Sequence, residues 1–338
     1  MKKNFTNMTL KELEIFFENI GEKKFRAKQV YKWIYSGVTS FEDMTDLSKQ
    51  LREKLAEVAE VGCLKMVKNE NSEADHTKKF LFELVDGNSI ETVFMKYKFG
   101  NSICVSSQAG CRMGCTFCAS GIGGLKRNLT AGEMVDQILS VERFVGEKIT
   151  NVVVMGTGEP FDNYHNLSQF IELINAKDGL NLGMRNITVS TCGIVPMIGQ
   201  FGRDFPQVNL AISLHAPNDD IRKRTMPINK TYPMDVLLNA CRIHVEKTGR
   251  RITFEYALVK GVNDSLAHAD QLSDRLRGML CHVNLITLNK VQESGMIGSD
   301  RETAERFRAQ LEKRGIPATI RRELGTDISA ACGQLRLG

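Results

Sequence analysis

The sequence predicts an α/β protein, a partial barrel of six βα units preceded by a small helical domain. Three observations carry this. From residue 103 onward, short β-rich runs alternate with helical stretches; ahead of them lie amphipathic helical patterns; and Asp86-Gly87-Asn88, between two strand-like runs, is a strong hairpin signal.

The elements follow in order. Thr9 and Glu12 form a capping box that opens a helix with Leu10, Leu13, Phe16, Phe17 and Ile20 on its apolar side, stopped at Gly21. A second helix over 24–35 turns Val30, Trp33 and Ile34 inward, while Lys23, Lys24, Arg26, Lys28 and Lys32 crowd its start and outer face. A third covers 47–58. These define a helical accessory domain over 1–75, whose basic cluster is a candidate RNA contact, although a solvated helix surface has the same composition. Runs 79–85 and 89–97 form the hairpin, within a linker drawn at 76–97. The barrel domain spans 98–338, with strands at 103–106, 152–155, 187–190, 208–214, 252–259 and 283–288. Thr130 and Glu133 cap a helix carrying Met134, Ile138, Leu139 and Val141. A last helix over 302–314 ends at Gly315, followed by an extended run at 317–322 and a tail at 325–335.

Composition narrows the function classes. A chain of 338 residues, 42% hydrophobic and 25% charged, folds into one large domain plus a small one. The first residues hold no apolar run that could serve as a signal peptide, and no stretch is long enough to span a bilayer, so a cytoplasmic protein without a membrane partner is expected. The net charge of +5 permits a polyanionic partner without demanding one. In a reducing compartment the nine cysteines point to metal or catalysis where they cluster.

Three do cluster. Cys111, Cys115 and Cys118 stand in Cys-Arg-Met-Gly-Cys-Thr-Phe-Cys, just after the first barrel strand, where loops at the carboxyl end hold active-site groups. Three thiolates on one loop favour a soft metal. Structural zinc wants four ligands, usually in two separated pairs, so a cubane iron–sulfur cluster with one open iron fits better. Gly156-Thr157-Gly158-Glu159-Pro160 follows a later strand, its glycines allowing close backbone approach to a ligand and Glu159 able to accept from an ammonium.

The Cys-x-x-x-Cys-x-x-Cys pattern, with Phe117 before its third cysteine, resembles the signature of radical S-adenosylmethionine (SAM) enzymes. The resemblance implies the (βα)6 TIM-like barrel of that type, one [4Fe-4S] cluster on Cys111, Cys115 and Cys118, and SAM contacts from Gly158, Glu159, Ser190, Ser213, Leu214, His215 and Asn289. Taken singly, Ser190 and His215 read equally well as strand-end residues bonded to backbone. Over the whole chain, Phe25-Arg26-Ala27-Lys28-Gln29-Val30, Cys104-Val105-Ser106-Ser107-Gln108, Met226-Pro227-Ile228-Asn229, Gly261-Val262-Asn263-Asp264 and Ala331-Cys332-Gly333-Gln334-Leu335 resemble the RlmN family of RNA methyltransferases.

That family resemblance implies methylation of adenine C2 in 23S rRNA and in tRNA. C2 lies between two ring nitrogens and is too electron-poor to attack an electrophilic methyl group, which is why a radical route is needed. The resemblance implies two SAM molecules per turnover, Cys332 as a methyl-carrying cysteine, Cys104 as the thiol that resolves the protein–RNA adduct through a transient disulfide, and Glu91 as acceptor of the C2 proton. It further implies a reducing donor such as flavodoxin or ferredoxin; a monomer is expected, and the 290–299 loop is a candidate RNA contact. Cys63, Cys192, Cys241 and Cys281 read as buried small hydrophobes. Two alternatives stay open: Cfr-type methylation at C8, against which Pro160 after Glu159 speaks because the Cfr relatives carry alanine there, and a zinc-stabilised, non-catalytic RNA-binding protein.

Overall fold

The computed structural model describes residues 2–62, 64–289 and 294–335; Cys63 and residues 290–293 of the candidate RNA loop lie outside the described residues. Three helices open the chain, α1 (Leu10–Asn19), α2 (Lys24–Tyr35) and α3 (Lys49–Val58). Thr9 and Glu12 close the reciprocal capping box. Phe5, Phe16, Phe17 and Phe41 meet with their rings 5.0 to 6.3 Å apart, largely edge to face, and all four are buried. Burying each such ring contributes about 2–3 kcal/mol, which is what holds these short helices together. Lys3–Asn4 pairs in parallel with Ala59–Glu60 and so ties the two ends of this unit. On α2, Val30 and Ile34 are buried, whereas Trp33 is half-buried and donates its indole N–H to Asp46.

One ten-stranded sheet organises the rest. Its strands, in chain and spatial order, are β1 (Lys65–Asn71), β2 (Lys78–Glu83), β3 (Ser89–Tyr97), β4 (Gly100–Cys104), β5 (Asn151–Val154), β6 (Ile187–Thr191), β7 (Asn209–Ser213), β8 (Ile252–Leu258), β9 (Cys281–Thr287) and β10 (Ala318–Ile320). The first four pair antiparallel, and from β4 to β10 every pairing is parallel. β10 and β4 are not neighbours in the sheet, so the barrel stays open, as its partial character requires. The extended run at 317–322 contributes the seventh parallel strand.

One difference from the sequence reading concerns residues 65–71, counted above with the helical unit, which form strand β1 of the large sheet. As an edge strand its side chains are mostly exposed, and the apolar alternation that marks a half-buried strand is missing.

Helices α4 (Ala131–Val145), α5 (Tyr164–Asn175), α6 (Val195–Asp204), α7 (Asp219–Thr225), α8 (Met234–Thr248), α9 (Leu266–Leu276) and α10 (Arg301–Lys313) cover the outer face. Asn7 joins the two parts: its side-chain oxygen accepts from Gly132 N (2.7 Å) and its carbonyl from Gln169 (2.7 Å). Gly132 is needed there, since a Cβ would stand 2.8 Å from Asn7 N. No helix among the described residues is long and apolar enough to cross a membrane.

Candidate active site at the mouth of the open barrel

Beyond Cys104, Gln108–Gly110 pairs antiparallel with Leu125–Asn128 and closes a ribbon around the cysteine loop. Gly110 has φ 77°, and a Cβ would lie 1.9 Å from the Gly124 carbonyl oxygen, so the ribbon needs glycine at this point. The loop is held from two sides. Thr116 N donates to Thr225 O (3.0 Å) on α7, while Ala119 N donates to Gly333 O (2.8 Å) and Ser120 Oγ to Leu335 O (2.6 Å) in the tail.

Cys111 is buried, Cys115 and Cys118 are half-buried, and all three line one cavity. Burial pushes the Cys111 thiol up to about 11 and raises those of Cys115 and Cys118. Neutral thiols in such a place give up their protons to a metal that binds several sulfurs at once. Among the described residues no three His, Cys, Asp or Glu side chains converge as a single metal ion would need. Three cysteines of one loop lining one cavity are the set that an iron–sulfur core with one open iron would take.

The strand ends supply the opposite wall. Glu159 is buried, and burial raises its carboxyl against the lowering effect of two backbone donors, Cys192 N (2.7 Å) and Phe161 N (3.0 Å). The Thr191 and Cys192 side chains also hydrogen-bond to this carboxyl, and Glu159 lines the same cavity as the three cysteines. The glycines beside it line the same cavity and are also tightly packed from behind. At Gly156 a Cβ would stand 2.7 Å from Ser106 Oγ and at Gly158 (φ 111°) 2.7 Å from Gln108 Cβ, so both serve close packing of this turn on the 105–108 segment.

Ser190 Oγ and Ser213 Oγ are 3.3 Å apart and line the same cavity as Gly158, Glu159 and His215. His215 sits at φ 53°, with Nδ1 accepting from Ala257 N (2.9 Å) and its ring 4.9 Å edge-on to Phe117. Burial and the Arg222 charge hold it down at about 3, so the ring is neutral with its proton on Nε2. Leu214 has no exposed surface and does not line the cavity; its carbonyl accepts from Arg222.

Cys332 lines this cavity and also a second one, which it shares with Cys104, Asn289, Tyr97, Met155 and Arg321. Asn289 donates to the Cys332 carbonyl (3.2 Å). Both cysteines are free thiols, and burial, with the neighbouring Cys332 charge, pushes Cys104 up to about 12. Glu91 lines neither cavity. It is buried on β3, two residues from Val93, and pairs with Lys79 (3.2 Å), which also reaches Glu70 (3.1 Å).

Several wall residues went unread in the sequence. Cys192, grouped above with the bland cysteines, is buried in the cavity wall beside Phe117 and Met226, whereas Cys241 and Cys281 are buried elsewhere. Arg321 reaches both cavities and pairs with Glu255 (3.6 Å), and Met155 lines both. A lone arginine in an extended run carries no local signal of such a position.

Known proteins agree with this picture. Residues 3–61 match the family model of the ribosomal RNA large subunit methyltransferase N-terminal domain, and residues 105–272 that of the radical SAM superfamily. A protein of Thermoanaerobacter sp. (strain X514), named a probable dual-specificity RNA methyltransferase RlmN, is 57% identical over 98% of this chain and 97% of its own length. One of the same name from Alkaliphilus oremlandii (strain OhILAs) is 53% identical over 99% and 98%. The crystal structure of a radical SAM methyltransferase from Sphaerobacter thermophilus superposes with a TM-score of 0.95 at 47% identity, covering 98% of this chain and 99% of that one. The zinc-stabilised, non-catalytic reading is thereby set aside, and the chain belongs to the RlmN family of radical SAM RNA methyltransferases.

Proposed function

We propose that the protein methylates C2 of adenine in 23S rRNA and in tRNA, with Cys332 carrying the methyl group on its sulfur. The observation that carries the reading is the seam position of Cys332, lining both the cavity of the three-cysteine loop and the cavity of Cys104. Cys111, Cys115 and Cys118 would hold a [4Fe-4S] cluster, which together with SAM bound by Gly158, Glu159, Ser190, Ser213, His215 and Asn289 supplies the methyl group, the electron and the radical, while Leu214, buried behind the wall, would act only through its backbone.

The chain's own residues do the rest. The Cys332 sulfur takes a methyl group; that carbon gives up one hydrogen atom to the radical that the bound cofactors would supply and bonds to C2 of the base, and the odd electron left on the ring returns to the cofactor site as the C2 proton is lost. Cys104 then attacks the Cys332 sulfur: a sulfur–sulfur bond forms, the sulfur–carbon bond breaks, and the carbon leaves with the electron pair and a proton as the new methyl. Asn289 restrains Cys332 at its carbonyl. Glu91, on the same face of β3 as Val93, accepts the C2 proton, with Lys79 positioning its carboxylate. Glu91 is one strand step from the cavity lining, so base transfer requires the RNA to bring the ring to it.

Two SAM molecules are consumed per methyl delivered, and a low-potential carrier such as flavodoxin or ferredoxin supplies the electron for the radical and the two electrons that, with two protons, return the Cys104–Cys332 disulfide to thiols. The protein works as a cytoplasmic monomer. The test is nucleoside mapping of 23S rRNA and tRNA after reaction with wild type and Cys332→Ala. The reading expects 2-methyladenosine from wild type and none from the variant; 8-methyladenosine would establish the C8 chemistry instead.

A further inference from the structure

Arg222 has no exposed surface, yet the oxygens it binds carry no full charge. Nε donates to Leu214 O (3.2 Å), Nη1 to Asn229 Oδ1 (3.0 Å), and Nη2 to Cys192 O (2.7 Å) and Ser213 O (3.2 Å). Asp219, within its electrostatic reach, is engaged by Asn229 Nδ2 (2.7 Å) and Met234 N (2.9 Å). No ion pair to Arg222 forms among the described residues. Removing a guanidinium from water without a counter-ion costs several kcal/mol, and donors to neutral oxygens recover only part of that.

Its surroundings indicate where the balancing charge arrives. Arg222 lies on α7, the helix whose last residue, Thr225, receives the hydrogen bond of Thr116 in the cysteine loop. Cys192 and Ser213, whose carbonyls it holds, line the loop's cavity. The Cys115 sulfur is within its electrostatic reach. Three thiolates outweigh the charge of an iron–sulfur core, so the assembly is anionic, and each electron added to it deepens the negative charge without forming or breaking a bond.

We infer that Arg222 is the built-in counter-charge of the cluster, a positioning residue that favours its reduced state and so makes the electron easier to accept. This rests on Cys111, Cys115 and Cys118 being the cluster ligands. A purely structural role, clamping three carbonyls, would depend on the geometry of the fork and not on its charge.

The test is an EPR-monitored redox titration of the anaerobically reconstituted full chain, without SAM or RNA, alongside iron content and thermal unfolding. Arg222→Gln is expected to hold iron but to lower the ratio of reduced to oxidised cluster at a fixed potential at least tenfold, about 59 mV for one electron. Arg222→Lys is expected to stay within roughly threefold of wild type. Asp219→Asn, which removes an opposing charge, is expected to shift the ratio the other way. A wild-type midpoint in iron-replete Arg222→Gln, or equal shifts in the Gln and Lys variants, would overturn the inference. Should Arg222→Gln fail to retain iron, Asp219→Asn decides: no shift, or a shift toward harder reduction, contradicts it. A wild-type chain that binds no iron would overturn the cluster reading and this inference with it.

Discussion

At the scale of single residues, burial divides the cysteines by role. Cys104 is held near 12 by burial, so it rests as a thiol beside Cys332, and in the proposed mechanism it is the group that attacks the Cys332 sulfur once carbon has bonded to the base. Cys104→Ala is therefore expected to stall after carbon–carbon bond formation and to leave RNA covalently attached to the protein, visible as a shifted band in denaturing gels. Normal turnover by that variant would remove Cys104 from the chemistry.

His215 gives a second residue-scale expectation. Its folded value near 3 lies below the ordinary 6.5, so the folded state excludes a proton that the unfolded state binds. Its contribution to stability is complete above about pH 6.5 and is lost as the pH falls toward 3, with a slope of about 1.4 kcal/mol per pH unit for one proton. Denaturant unfolding of the iron-free protein across that window should show a limb that His215→Asn flattens by one proton; asparagine tolerates the left-handed backbone at this position. An unchanged limb would assign the acid sensitivity to other groups.

At the scale of elements, the ribbon around the cysteine loop is the part most exposed to single substitutions. Gly110→Ala places a methyl against the Gly124 carbonyl and is expected to cut iron per chain by half or more. Gly124→Ala, also at positive φ but facing open space, should cost only about 1 kcal/mol of stability and retain iron. Iron analysis and thermal unfolding of both variants check this, and equal iron retention would contradict it.

The elements also show how far the sequence could be read. Capping boxes at Thr9 and Thr130 and the helix over 24–35 follow from local chemistry and stand where the pattern put them. The three-cysteine spacing is equally local, since one loop provides all three sulfurs. Strand β1 escaped because an exposed edge strand of lysines and asparagines buries no face and so shows no alternation. Arg222, Arg321 and Cys192 escaped because their roles depend on which strand ends and helices meet, and nothing near them in the chain encodes that.

On the scale of the whole molecule, an open barrel presents one mouth at which the cysteine loop, the strand ends and the tail converge. The tail is fastened to the loop by the bonds from Ala119 and Ser120, which brings Cys332 from the far end of the chain beside groups more than two hundred residues earlier. The helical unit, joined through Asn7 to α4 and α5, adds a face with lysines on α2; two of these are already paired, Lys24 with Glu18 and Lys28 with Asp178. Lys23 and Lys32 are exposed on that face.

The most direct measurement joins metal content to product. Wild-type protein purified without oxygen should carry about four irons with matching sulfide per chain and yield 2-methyladenosine, whereas the chain with Cys111, Cys115 and Cys118 all replaced by serine should carry no iron and yield none. Methylated RNA from the triple variant, or a wild-type enzyme active without iron, would contradict the account.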